Sequence, residues 1–261
     1  MIALSVVIPA YNEAFRIIPT LQSICAALDR RDLPYEVLVV DDGSTDKTVS
    51  AVETFRLRYP CVRVLALPCH VGKGGAVRAG MLATRGLRQL IADADGATPF
   101  EELARLEAAL DRGADMAIGS RYLASRDPKF QVIARWHRTV LGNLFNRVVR
   151  RLGINGITDT QCGFKLLTRA VTLDLFSVMR IDGFGFDLEL LYLAQRRGYR
   201  VAEVPIHWCD QPGSKVRVLR DGVHMIGDLF RIRRSYHRGA YRIAAPEPLA
   251  ANPFMSPASP K

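Results

Sequence analysis

The chain has 261 residues and no run of 18 apolar ones, so no segment reads as a bilayer-spanning helix. Its five cysteines (Cys25, Cys61, Cys69, Cys162 and Cys209) are odd in number and form no C-x-x-C pair. That argues against a disulfide framework or a zinc site and suits a reduced, intracellular chain. Residues 2–10 are apolar, but they lack a basic segment before them and a small-residue cleavage site after them, so no signal peptide is expected. There is no internal repeat. Any membrane contact is expected at the surface, with the protein cytoplasmic and peripheral to the cytoplasmic membrane face.

What is present is ordinary for a globular fold: 49% hydrophobic and 24% charged residues. The length allows one large α/β domain or two small ones. The net charge of +10 is unevenly spread. Residues 1–120 hold 13 Lys/Arg against 15 Asp/Glu, a net of −2, and residues 121–242 hold 22 against 10, a net of +12. The second half is therefore expected to face something anionic, a phosphate-rich substrate or a lipid surface. Nucleic acid is the generic partner of such a charge, but no aromatic-interleaved basic motif is present, so it is not expected here.

Apolar runs at 3–9, 35–40, 62–67, 89–93 and 115–120 are bounded by turn residues and rich in Val, Ile and Leu, the pattern of strands buried on both faces. Helical patterns near 17–30, 46–58, 74–86 and 99–112 separate them. Pro19 suits a first helical turn, and Ser44 or Thr45 a helix cap. This alternation predicts an α/β fold with a Rossmann-like, mostly parallel sheet, helices on both faces and ligands at the carboxyl ends of the strands. Beyond residue 120 the pattern is less regular. Segments 138–153 and 219–238 read as amphipathic helices with basic faces, either packed on the sheet or lying on anionic lipid. From about Ala245 the chain is Pro-rich and reads as a disordered tail. The expected organisation is a single domain over 1–244, with halves 1–120 and 121–244, followed by the tail at 245–261.

Four loops follow the predicted strands: PAYNE (9–13), DDGS (41–44), HVGKGG (70–75) and DADG (93–96). In DADG, Asp93 and Asp95 stand at i and i+2 and project to one side of an extended segment. Two converging carboxylates need something positive between them, a divalent cation or a Lys or Arg from elsewhere. Hard oxygen ligands suit Mg²⁺ or Mn²⁺. In HVGKGG, the glycines at 72, 74 and 75 let backbone N–H groups approach an anion, and Lys73 has the reach of a phosphate. The loop lacks the four-residue lead and the Ser/Thr of a Walker A motif, and a plain glycine-rich helix start is its other reading.

These motifs, in this order, resemble the family 2 glycosyltransferases of GT-A fold. GSRY (119–122), DTQCGFKLLTR (159–169), GFGFDLELL (183–191), VPIHW (204–208) and PGSK (212–215) narrow the resemblance to the dolichyl-phosphate β-glucosyltransferase branch, beside the polyprenyl-phosphate mannose and glucose synthases. The likeness spans roughly residues 3–235. It implies metal-dependent, inverting transfer of a hexose from a nucleotide sugar, with UDP-glucose the first choice and GDP-mannose the second. The acceptor it implies is a polyprenyl or dolichyl phosphate. The first half would bind the nucleotide sugar and the second the acceptor. By the same resemblance Pro9, Tyr11, Glu13 and Asp42 hold nucleobase and ribose, Lys73 and Asp93 the diphosphate, and Asp93 with Asp95 the Mg²⁺ or Mn²⁺.

A lipid phosphate is already anionic at neutral pH, so its attack needs positioning and charge neutralisation rather than a strong base. Arg121, Arg135, Arg138, Lys165 and Lys215 are candidate ligands for it, and the resemblance favours Arg121, Arg135 and Lys215. Asp159 and Asp187 either orient such cations or, with a hydroxyl acceptor, serve as general base. A turn or cap residue and a first-turn helix carboxylate are their plain alternatives. His207 reads as a third metal ligand or a satisfied strand-end histidine, and Trp208 as a sugar platform or a core residue. PGSK reads as a loop closing over the donor or as a surface turn. Eukaryotic members of the branch carry an N-terminal anchor and several bacterial relatives C-terminal spanning helices. Neither is read here, so membrane contact is expected through 138–153, 219–238 or an anchoring partner subunit. Two further readings stay open: a soluble glycosyltransferase with a hydroxyl acceptor, and a non-catalytic nucleotide-sugar-binding subunit.

Overall fold

The computed structural model describes residues 1–133, 149, 153–213 and 218–242. Arg135, Arg138, Lys215, most of the segment 138–153 and the Pro-rich tail lie outside the described residues.

The five expected strands form β1 (Leu4–Ala10), β2 (Tyr35–Asp41), β3 (Val62–Ala66), β4 (Arg88–Ile91) and β5 (Met116–Ser120). Between them run α1 (Ile17–Leu28), α2 (Thr48–Arg56), α3 (Lys73–Ala83) and α4 (Leu103–Asp111). Each strand is short and rich in β-branched or aliphatic residues, and β5 is buried at every position, as a strand covered on both faces requires. On α1, Ile17, Leu21, Ile24, Cys25 and Leu28 recur at helical spacing and pack against one face of the sheet. On α3, Ala76, Val77 and Met81 pack against the other.

The second half adds α5 (Arg121–Ala124), β6 (Val132–Ile133), β7 (Lys165–Thr168), α6 (Arg169–Phe176), α7 (Phe186–Arg196), β8 (Val201–Pro205), β9 (Trp208–Cys209) and α8 (Val218–His237). The main sheet has seven strands in the order β3-β2-β1-β4-β7-β5-β8, and β6 pairs with β9 in a separate parallel ribbon. All its pairings are parallel except those of β7, which runs antiparallel between β4 and β5. Lys165 pairs across the sheet with both Ile91 and Ile118 and is fully buried.

One local expectation is corrected. Ser44 and Thr45 do not cap a helix: α2 begins at Thr48, whose N–H is accepted by Asp46 Oδ1 at 2.9 Å. Instead the Asn12 N–H donates to Ser44 Oγ at 2.8 Å, and the Thr45 N–H donates to Asn12 Oδ1 at 2.8 Å. Asn12 adopts φ +52°, a region that Asn tolerates better than most residues. These bonds lock the PAYNE loop to the DDGS loop.

Candidate active site

The DADG loop leaves β4 at the carboxyl edge of the sheet, and the side chains of Asp93 and Asp95 stay partly open to solvent. Lys73, the first residue of α3, puts Nζ 2.6 Å from Asp93 Oδ1. The Arg16 guanidinium lies 4.0 Å from Asp95 Oδ2. Burial pushes the Asp93 carboxyl up, but Lys73, helped by Lys165 and Arg121, outweighs it and holds the group below the usual carboxylate range. Burial and the neighbouring Asp93 push Asp95 above that range. Burial pulls on Lys73 in the opposite sense, but Asp93, Asp187 and Asp95 keep its ammonium above the ordinary lysine value.

A Cβ at residue 163 would fall inside the van der Waals envelope of the Asp93 carboxylate, so only glycine leaves that space open. Among the described residues, no group of three His, Cys, Asp or Glu side chains is placed to hold a metal. The hard-oxygen pair Asp93–Asp95, with the Asp93 carboxylate seated in the space Gly163 leaves without a side chain, fits a cation such as Mg²⁺ or Mn²⁺ that takes its other ligands from a diphosphate and water.

The glycine-rich loop is shaped by Asp42. Its carboxylate accepts from Val71 N–H at 2.8 Å and Gly72 N–H at 3.0 Å, and His70 Nδ1 lies 2.9 Å away. Next to it, Asp41 accepts from Ser44 N–H at 3.0 Å through Oδ2, while its buried Oδ1 has no hydrogen-bond partner among the described residues. Gly72 has φ +109°, and a side chain there would strike the carbonyl of Asp182. That same carbonyl accepts from Gly75 N–H at 3.1 Å, and Arg78 grips the Asp182 carboxylate at 2.7 Å. The glycines thus seat the loop on the segment just before α7.

At the nucleoside end, the Tyr11 ring stacks on His70 with centroids 4.2 Å apart. Pro9 sits in β1 opposite Val40. Glu13 accepts two hydrogen bonds from Arg16, at 2.6 and 2.7 Å, and Arg16 also donates to the carbonyl of Pro212 at 2.9 Å. One guanidinium therefore ties PAYNE to the start of the PGSK loop beside Asp95. An open cleft runs from Asp93 and Asp95 along α1, past Phe15, Pro19, Phe100 and Gln211.

On the basic side, Arg121 forms a two-pronged pair with Asp159, with Nε to Oδ2 and Nη2 to Oδ1 each at 2.7 Å, and its backbone N–H donates to the same carboxylate at 2.9 Å. The guanidinium also lies over the Trp208 ring, 5.3 Å from its centroid. Burial pushes Asp159 up, but Arg121 more than offsets it and holds the carboxyl below its ordinary value. Lys165 donates to Asp187 at 2.6 Å and to the carbonyl of Cys162, wholly out of solvent. This burial removes Lys165 from the candidate acceptor ligands, because a strand position closed on both faces has no path to a lipid phosphate. Asp187, in the first turn of α7, is pushed up by burial despite Lys165. His207 accepts from Gln131 N–H at 2.9 Å through Nδ1, and its Nε2 lies 3.9 Å from Glu102, so both ring nitrogens are directed to neighbours other than the DADG pair.

The structure thus brings Lys73, Asp93, Asp95, Arg121, Asp159 and Asp187 into one connected field of alternating charge. It adds Arg16, His70 and Gly163, to which the motifs assigned no role. Arg16 was detectable as the i+3 partner of Glu13 just ahead of a predicted helix. Gly163 gave no local signal, since its neighbour Asp93 lies 70 positions away.

Residues 5–176 match the family described as Glycosyl transferase family 2. The dolichyl-phosphate beta-glucosyltransferase of Drosophila melanogaster is 41% identical over 256 residues, covering 93% of this chain and 78% of the relative. The protein of that name from Homo sapiens is 38% identical over 253 residues, covering 92% and 78%. Among solved structures, glucosyl-3-phosphoglycerate synthase from Mycobacterium tuberculosis with phosphoglyceric acid superposes with a TM-score of 0.67 at 22% identity, over 89% of this chain and 79% of that one. The same synthase in complex with Mn²⁺, UDP-glucose and phosphoglyceric acid gives a TM-score of 0.64 at 21% identity, again over 89% and 79%.

The mostly parallel α/β sheet is that of a GT-A glycosyltransferase. Within that class the chain belongs to glycosyl transferase family 2.

Proposed function

We propose that this chain transfers glucose from UDP-glucose, with inversion, to a polyprenyl- or dolichyl-type phosphate at a membrane surface. The observation that carries the acceptor class is the state of the two candidate bases. Both oxygens of Asp159 are engaged by Arg121, and Asp187 is buried against Lys165. A hydroxyl acceptor needs a free base, whereas a phosphate acceptor needs cations. This arrangement supports the phosphate and makes Asp159 a residue that orients Arg121. The names of the relatives from Drosophila and human support the same acceptor.

In this reading Pro9, Tyr11, Glu13 and Asp42 bound the nucleoside pocket, Asp42 by fixing the glycine-rich loop and Tyr11 by offering a ring face. Lys73 turns from Asp93 to the diphosphate. Asp93 and Asp95 hold Mg²⁺ or Mn²⁺, which when bound neutralises the diphosphate and assists its departure as a Lewis acid. Arg121 positions the acceptor phosphate oxygen for attack at the anomeric carbon, a role also proposed for Arg135 and Lys215.

Among the described residues, no helix is long and apolar enough to cross a membrane. The outer face of α8 exposes Val223 and Phe230 together with Arg220, Arg231 and Arg234. Its inner face buries Met225, Leu229 and Ile232. This supports peripheral docking on anionic lipid, on the cytoplasmic face, with an anchoring partner subunit as the other route.

The test is transfer of labelled hexose from UDP-glucose and, in parallel, GDP-mannose to detergent-dispersed polyprenyl phosphate, with and without EDTA. Metal-dependent label in the organic phase from UDP-glucose is expected. Label from GDP-mannose alone would move the donor. Turnover only with small hydroxyl acceptors would overturn the lipid reading, and binding without turnover on any acceptor would leave a nucleotide-sugar-binding subunit.

A further inference from the structure

Glu203 lies on β8 opposite Ile118 of β5, away from the DADG loop, and among the described residues no cation pairs with it. Its carboxylate nonetheless accepts four hydrogen bonds. Oε1 receives Ser120 Oγ–H at 2.6 Å, Thr158 Oγ1–H at 2.6 Å and Asp159 N–H at 2.8 Å, and Oε2 receives Thr158 N–H at 2.9 Å. Ser120 and Thr158 are the residues immediately before Arg121 and Asp159. Ser120 Oγ also accepts from Leu123 N–H at 3.1 Å, capping the helix that begins at Arg121.

One carboxylate therefore fixes both chain segments from which the Arg121–Asp159 pair projects. Ser120 and Asp159 are buried, so the Ser120 hydroxyl and the Asp159 N–H would be costly to leave unpaired if Glu203 released them. A two-pronged Arg–carboxylate pair tolerates little displacement, because its two parallel bonds require coplanar forks. Arg121 meets this with Nε and Nη2, and among the described residues nothing engages its Nη1.

We infer that Glu203 is a positioning residue: it sets the backbone on either side of Arg121 and Asp159, and so aims the Arg121 guanidinium at the acceptor phosphate. This rests on the function proposed above. In Glu203→Gln, one oxygen still accepts, but the amide NH₂ faces the Thr158 N–H, donor against donor. Thr158→Val removes one donor and leaves the carboxylate in place.

The experiment uses the full chain with UDP-glucose, Mn²⁺ and detergent-dispersed polyprenyl phosphate. Glu203→Gln is expected to raise the acceptor KM roughly tenfold, the scale of a lost charged hydrogen bond, while UDP affinity by calorimetry stays within twofold. Thr158→Val should shift the acceptor KM in the same direction by less, and it carries the test alone if Glu203→Gln does not fold. In an Arg121→Ala background, Glu203→Gln should add nothing to the acceptor KM. Acceptor KM unchanged in both single variants, a parallel loss of UDP affinity, or an additive effect without Arg121 would each overturn the inference while the proposed function stands. A wild-type protein that labels no polyprenyl phosphate would overturn the proposed function, and this inference with it.

Discussion

Lys73 Nζ stands 2.6 Å from Asp93 Oδ1, so an ammonium holds the carboxylate that a divalent cation would use. A point charge on a flexible stem is the kind of partner that can leave when a denser charge arrives. On the proposed function lysine and metal compete for one oxygen, and a diphosphate rewards the lysine for moving.

The Lys73→Met variant should therefore bind Mn²⁺ more tightly than wild type in the absence of nucleotide, by a few-fold to about tenfold. It should bind UDP more weakly in the absence of metal. Free Mn²⁺ measured by electron paramagnetic resonance and UDP binding by calorimetry read the two effects separately. Unchanged Mn²⁺ affinity would remove Lys73 from the metal's ground state.

Asp95→Ala should abolish transfer while the protein keeps its fold, since Asp95 is partly exposed and accepts its hydrogen bond from the backbone, the Ala97 N–H at 3.1 Å. Gly163→Ala tests the same site from the opposite side of the loop. Its methyl would collide with the Asp93 carboxylate, so Mn²⁺ affinity should fall at least tenfold, and stability by about 1–3 kcal/mol as the loop gives way. Turnover surviving Asp95→Ala with metal chelated would sink the metal role.

Arg121→Leu should destabilise the fold in a pH-dependent way. In wild type the Asp159 carboxyl titrates below its unfolded value, so its contribution is complete above about pH 4 and is lost as the pH falls further. Without Arg121 the buried carboxylate is left to desolvation, its pKa rises, and stability falls as the pH rises from about 4. The cost near pH 7 should be about 2–3 kcal/mol, below the figure for a fully buried pair because Arg121 is about a third exposed. Melting temperatures from pH 3 to 7 should give slopes of opposite sign, and parallel curves would refute the assignment.

The outward face of α8 predicts salt-sensitive binding to vesicles containing anionic lipid and little binding to neutral ones. Phe230→Glu with Val223→Glu should weaken sedimentation with anionic vesicles at least tenfold without shifting the melting temperature, because both side chains are exposed. Equal binding of wild type and variant would place the contact elsewhere.

The first half was legible because its signals are local. β-branched runs end in Asp-, Gly- and Tyr-bearing loops, and the i, i+2 spacing of Asp93 and Asp95 carries its own geometry. β7 was not legible: KLLT is four residues long and opens on a charge, features that read as a loop lysine rather than a strand. The burial of Lys165 depends on Asp187, 22 positions away, and on two strands that enclose it. Glu203 gave no signal for the same reason, because its four donors come from segments 44 to 83 positions distant. Composition did register the second half as basic, but three of its candidate cations (Arg135, Arg138 and Lys215) lie outside the described residues.

The antiparallel strand in mid-sheet also limits how this chain can be divided. β5 belongs by sequence to the first half, yet both of its neighbours, β7 and β8, come from the second. A chain ending after Ser120 would keep a four-stranded sheet of β3, β2, β1 and β4, and would leave β5 with no strand to pair with. The two halves of the chain are therefore woven through shared backbone, and on the proposed function a new acceptor specificity has to be reached by altering side chains and loops in place, not by exchanging one half for another.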